Sequence, residues 1–162
     1  MRILGVDPGL NITGYGVLEV NSHFHSRLLE TGVIKTERNF PLGQRVRKIY
    51  EEVKKIIKEF HPQVMVLEEL YSHYRHPRTA ILMGHARGVI SLAAAEERVT
   101  LVGYSSTRIK KALLGRGDAR KEQLQKMVRY LLNLKNIPRP VDVSDALALC
   151  LAHTYIMRSV RK

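Results

Sequence analysis

Cysteine is almost missing from this chain: Cys150 is the single one among 162 residues. One thiol rules out an internal disulfide framework, and a reducing cytoplasm is the setting that fits it. The histidines lack a thiolate partner, and their spacing forms no zinc pattern. Long apolar runs are absent too. The longest, such as Val89 to Ala95, are far too short to cross a bilayer, so no membrane association is expected. The opening MRILGVDPG has a carboxylate by position 7, unlike a secretory leader. There are no internal repeats and no low-complexity stretches. The length matches one compact domain, 1–162, able to bury roughly 70% of its unfolded surface without disulfide or structural metal.

Acidic residues are the scarce charge. Fifteen Asp and Glu stand against 27 Lys and Arg, a net charge of +12. Such an excess points to a polyanionic partner, nucleic acid foremost, with solubility alone as the plainer alternative.

Hydrophobic patterning and turn residues predict strands over Arg2 to Asp7, Thr13 to Val20 and Phe24 to Lys35, close enough to form an antiparallel meander. Pro41 to Phe60 reads as an amphipathic helix. Its Leu42, Val46, Ile49, Tyr50, Val53, Ile56, Ile57 and Phe60 recur at three- and four-residue spacing. Val64 to Leu67 is a short apolar run suited to a strand covered on both faces. A helix over Arg78 to Glu97 and a strand over Val99 to Tyr104 follow. Helices over Thr107 to Leu114, Arg120 to Leu134 and Asp142 to Met157 complete the chain. The order predicts an α/β fold: a mixed five-stranded sheet, three antiparallel strands then parallel ones, flanked by helices.

Acids fall at the boundaries of these elements. Asp7 ends the first strand and Glu68 follows the fourth; the two come together if those strands are neighbours. Asp142 and Asp145 share one face at a helix start, where the dipole favours their ionised form. Each also has a plainer reading: a turn former in Asp-Pro-Gly, a strand-end surface charge like Glu69 beside it, a capping pattern in Asp-Val-Ser-Asp. As a set of four convergent carboxylates they would need cations between them. Hard oxygen donors suit Mg²⁺ or Mn²⁺, a pair of which can drive phosphodiester cleavage.

Two basic segments accompany the acids. RIKKALLGRGDARK, Arg108 to Lys121, places six cations among 14 residues around two glycines, as phosphate binding would favour, and lacks the spacing of a Walker loop. YSHYRHPRTAILMGHAR, Tyr71 to Arg87, mixes Tyr71 and Tyr74 with Arg75 and Arg78, a composition able to stack on unpaired bases. Solvated loops are the alternatives for both. Gly84 and Gly88, four apart on one helix, permit close approach of a second helix, for which an internal partner is the simpler expectation. Cys150, amid Ala146, Leu147, Leu149 and Leu151, is expected in the core.

At these residues the sequence resembles the RuvC family of Holliday-junction resolvases. The likeness runs through GVDPGLNITGYGV (5–17), LEELY (67–71), GHARGV (84–89), GRGDARKEQLQKMV (115–128) and DVSDALALCLAH (142–153), nearly the whole chain. It implies an RNase H-like fold and an endodeoxyribonuclease using two Mg²⁺ ions, with Mn²⁺ as a possible substitute. It implies paired symmetric nicks that resolve four-way DNA junctions in recombination and repair, leaving 5′-phosphates. It also implies a homodimer, with the Gly84–Gly88 helix at its interface, working beside the RuvA and RuvB branch-migration complex. The family's catalytic and metal-holding acids map onto Asp7, Glu68, Asp142 and Asp145, the third being histidine in some members. Its DNA-contacting positions map onto Lys110, Lys121 and Tyr71; the neighbouring Arg75, Arg78 and Arg116 are expected to bind DNA from the composition of their segments. The alternatives are a YqgF-type nuclease acting on ribosomal RNA precursor, an actin-like ATPase half and a catalytically silent DNA binder.

Overall fold

The structure is a computed structural model and describes residues 1–69 and 77–160; the side chains of residues 77 and 78 are outside that description. It contains β1 (Arg2–Asp7), β2 (Ile12–Val20), β3 (Ser26–Lys35), α1 (Leu42–Phe60) and β4 (Val64–Glu68). These are followed by α2 (Pro77–Glu96), β5 (Thr100–Tyr104), α3 (Ser106–Leu114), α4 (Lys121–Leu131) and α5 (Val141–Val160). The five strands form one sheet in the order β3-β2-β1-β4-β5. β1 pairs antiparallel with β2, and β2 with β3, whereas β4 runs parallel to both β1 and β5. The predicted mixed α/β sheet is therefore the observed one.

Strand alternation divides the core in two. Leu4, Val6, Val17, Met65 and Leu67 face α1 and α2. Ile3, Leu18 and Val66 face α3, α4 and α5. Helix α1 buries Ile49, Val53, Ile56 and Ile57 as its periodicity predicts, each contributing roughly 1.5–3 kcal/mol of transfer free energy. Leu42, expected on the same face, is instead 39% exposed, because Pro41 places it in the helix's first, outlying turn. Helix α5 is buried almost continuously from Val143 to Thr154, and Cys150 is fully enclosed. It lies between the sheet and α3 and α4, so its sequence is apolar all round rather than on one stripe.

Several boundaries shift for local reasons. β3 begins at Ser26, not Phe24, because Phe24 adopts φ 61° in a turn whose main-chain N–H groups at His23 and His25 donate to the Asn21 side chain. α4 ends at Leu131, short of Leu134, where Asn133 turns left-handed at φ 51°. α5 starts at Val141, so Asp142 is its second residue and not its cap.

The helix could not reach the sheet without glycine beneath it. A Cβ on Gly5 would lie 2.1 Å from the Ala146 carbonyl oxygen, and one on Gly14 would lie 2.2 Å from that of Asp142. These two glycines let the N-terminal half of α5 settle directly on β1 and β2.

Candidate active site

Asp7 is directly opposite Gly14 across the β1–β2 ladder. Since α5 passes over Gly14 at Asp142, the same close approach that needs glycine there sets Asp142 beside Asp7. β1 and β4 are parallel neighbours with Val6 paired to Leu67, which brings Glu68 level with Asp7. The condition attached to these two acids in the sequence is thus met. Alternation also separates Glu68 from Glu69. Glu68 follows Val66 onto the α5 face, whereas Glu69 lies on the other face, where a Cβ on Gly103 would be 3.1 Å from its Cγ.

The electrostatics register the convergence. Burial raises the Asp7 carboxyl most, and Asp145, Glu68 and Asp142 raise it further against a smaller opposing effect of Lys121, taking it from 3.8 to about 7. Burial also raises Glu68; a hydrogen bond from the Ser106 hydroxyl and the charges of Lys121 and Lys110 partly offset this. Asp145 is raised by burial, again against Lys121. The Lys121 ammonium donates to Asp145 Oδ2 at 2.6 Å. Burial works against that ammonium, but the hydrogen bond and the charges of Asp145, Asp7 and Asp142 hold its pKa above the ordinary lysine value.

A cavity of about 190 Å³ opens beside these acids, lined by Glu68, Asp145, Ser106, Lys110 and Lys121 over a floor of Ile109, Leu124 and Ala148. Lys110 and Lys121, singled out in the basic segment, therefore line the same cavity as two of the carboxylates. Arg116 does not line this cavity: its guanidinium forks onto Asp118 with two 2.8 Å hydrogen bonds. Tyr71 and Arg75, and the side chain of Arg78, lie outside the described residues.

Two contacts were not legible beforehand. Ser106 reaches Glu68 because β4 pairs with β5 so that Glu68 matches Tyr104, which starts α3 level with the site. Arg87, from α2, donates to the main-chain carbonyl of Glu68 and fixes the end of β4 from the opposite face. The β5-to-α3 junction is a signal that could have flagged Ser106; Arg87 closes the basic segment Tyr71 to Arg87, whose composition points to DNA and not to the end of β4.

Among the described residues no three His, Cys, Asp or Glu side chains already stand in a metal-ligating arrangement. The donor set nevertheless fits a hard divalent cation. It offers carboxylate oxygens alone; burial first, and the neighbouring acids after it, raise Asp7 to about 7, a charge imbalance that a cation would relieve. Among the described residues no helix is long and apolar enough to cross a membrane.

Acids at the ends of two adjacent central strands, faced by an acid pair on a helix across the sheet, define an RNase H-like nuclease class. Residues 3–153 match the family model for crossover junction endodeoxyribonuclease RuvC. A Rhodopirellula baltica crossover junction endodeoxyribonuclease RuvC is 47% identical over 154 residues, covering 95% of this chain and 86% of that protein. The Thermus thermophilus RuvC structure superposes with a TM-score of 0.91 at 36% identity, over 99% of this chain and 97% of that one. A T. thermophilus RuvC in complex with a Holliday junction substrate gives 0.89 at 34% identity, over 98% and 96%. The chain belongs to the RuvC family of crossover junction endodeoxyribonucleases. This match favours the resolvase over the YqgF-type alternative.

Proposed function

We propose that this protein resolves four-way DNA junctions by hydrolysing phosphodiester bonds at the Asp7–Glu68–Asp142–Asp145 cluster. The convergence of these acids beside Lys110 and Lys121 carries the reading, in a chain whose relative is solved on a Holliday junction. Asp7, Glu68, Asp142 and Asp145 would hold two Mg²⁺ ions, with Mn²⁺ able to replace them. When bound, the ions supply Lewis-acid activation of water and neutralise charge on the phosphate.

The chain's own residues do the rest. Lys110 and Lys121 draw the scissile phosphate to the cavity and oppose its developing charge. Ser106 holds the Glu68 carboxylate and Arg87 holds its main chain, so that the carboxylate faces the strand in a fixed position. In-line attack at phosphorus, with departure of the 3′ oxygen, leaves a 5′-phosphate.

A homodimer supplies two such sites to two symmetric strands. Ile81 (62% exposed) and Leu92 (51% exposed), with Gly88 between them on the exposed face of α2, support that assembly. RuvA and RuvB are the partners that would deliver the junction. The cytoplasm is where this work would take place, in keeping with the single buried Cys150 thiol. Tyr71, Arg75, Arg78 and Arg116 would extend the DNA contact beyond the cavity.

The direct test is Asp7→Asn on a synthetic four-way junction with Mg²⁺. The expected result is retained binding and abolished cutting; wild-type cutting by the variant would overturn the reading.

A further inference from the structure

A second cleft touches the acid cluster through Asp142 and shares no lining residue with the Lys110–Lys121 cavity. It is open, about 380 Å³, and bounded by the Gly9–Ile12 turn, Arg38, and Thr79, Leu82 and Met83 of α2. That volume lies in the lower part of the roughly 300–1,000 Å³ range of small-ligand sites and suits one nucleotide.

Its floor is rigid. The Arg45 guanidinium donates to the Leu10 carbonyl at 3.1 Å, to Thr36 Oγ1 at 3.0 Å and to Asn11 Oδ1 at 2.5 Å. The Thr36 hydroxyl also donates to Leu10, and its N–H donates to the Asn11 carbonyl at 3.1 Å. Arginine only donates, so the Asn11 oxygen must face Arg45, and the amide NH₂ is what Asn11 has left to offer. Among the described residues no hydrogen bond or ion pair engages the Arg38 guanidinium or the Thr79 hydroxyl. The cleft thus combines apolar walls from Ile12, Leu82 and Met83 with unengaged donors on Asn11, Arg38 and Thr79. Among its described lining residues the one carboxylate, Asp142, belongs to the acid cluster.

Donors over an apolar slot fit a flat group that is rich in acceptors, and the neighbouring acid cluster fixes which. We propose that this cleft seats an unpaired nucleobase of the strand being cut, next to the scissile bond, with Arg38 on the adjoining phosphate. The cleaved strand then runs across the acids from the Lys110–Lys121 cavity to the Asn11–Arg38 cleft. The assignment rests on the junction-cutting function proposed above, and it makes base choice at the cut a property of Asn11, not of the acids.

The experiment compares an intact four-way junction with junctions carrying an abasic residue at each position flanking the mapped cut. Wild-type protein is set beside Asn11→Asp, which keeps an acceptor for Arg45 but removes the amide donors, and beside Arg38→Ala. Thermal melts confirm folding. For wild type, one abasic position should slow cutting by about tenfold or more, as expected for loss of a seated base. Asn11→Asp should lose most of that discrimination. Arg38→Ala should lower the slope of log affinity against log salt by about one. Equal cutting of every abasic junction by wild type, or full discrimination retained by Asn11→Asp, would overturn the base seat while leaving the nuclease reading intact. An unchanged salt slope would remove Arg38 from it. A wild-type protein that cuts no junction at all would overturn both.

Discussion

The ammonium of Lys121, the first residue of α4, stands 2.6 Å from Oδ2 of Asp145, the fifth residue of α5. The contact joins the basic segment to the acid cluster. It supplies the countercharge that acts on Asp7, Glu68 and Asp145 alike. Because the surrounding acids hold its pKa above the usual lysine value, Lys121 stays charged throughout the neutral range.

Replacing it tests whether that charge serves the reaction or only the resting protein. Lys121→Met should slow single-turnover junction cutting by roughly 10²–10³-fold, the size expected for losing one preorganised group that opposes developing charge. Junction affinity should change far less. The reverse pattern, weak binding with normal turnover of bound junction, would reduce Lys121 to a binding contact.

Asp7 gives a prediction with a defined pH window. Its folded pKa of about 7 lies above the ordinary carboxyl value of 3.8, so folding takes up a proton. Below about pH 4 the carboxyl is neutral in both states and costs nothing. Between there and about pH 7 stability falls; above pH 7 the cost is complete, up to roughly 4 kcal/mol. Asp7→Asn should therefore melt roughly 5–15 °C higher than wild type at pH 8 in the presence of chelator. The two proteins should converge at pH 4. Mg²⁺ should raise the melting temperature of wild type at pH 8 and leave the variant nearly unmoved. Equal melting at pH 8 without metal would refute the raised pKa of Asp7.

Gly14 tests how tightly the site depends on helix seating. A Cβ there would lie 2.2 Å from the Asp142 carbonyl oxygen, which is backbone and cannot swing aside. Gly14→Ala should push the start of α5 off β2 and cost about 1–3 kcal/mol of stability. Displacing Asp142 and Asp145 by even about 1 Å should lower cutting about a hundredfold. Circular dichroism would check that the fold persists, and a variant that cuts normally would show that α5 can shift without consequence.

The sequence exposed the scaffold more fully than the site. The succession of strands and helices followed from apolar runs and turn residues, and the buried face of α1 from its spacing, because both depend on neighbours along the chain; the adjacency of β1 and β4 did not. The four acids were legible for the same reason, each marking the end or start of an element. What ties them together depends on register and packing between distant elements. Whether Glu68 or Glu69 faces α5 is decided by the β4 pairing, and whether Lys121 meets Asp145 by how α4 lies on α5. The Asn11–Arg38 cleft is formed by a hairpin, a connecting segment and α2, which no local pattern links. Phe24 was misassigned to β3 because its composition suits a strand, whereas the Asn21-centred turn before it forces a positive φ.

Helix α2 carries the last prediction. Its exposed residues Ile81, His85, Gly88 and Leu92 repeat at four- and three-residue spacing, a seam shaped for another helix. Among the described residues, a Cβ on Gly84 or Gly88 would meet nothing within 4 Å, so no described element of the same chain takes up the close approach those glycines allow. That speaks against an internal partner among the described residues, and the proposed homodimer would set a second copy on this seam. Leu92→Glu places a charge on the seam at a side chain already 51% exposed, so the monomer fold should tolerate it. By sedimentation the wild-type protein should have twice the monomer mass and the variant the monomer mass. The variant should also lose coordinated cutting of both strands while keeping its acids intact. A variant that remains dimeric would place the interface elsewhere, and a monomeric wild type would show that one chain suffices.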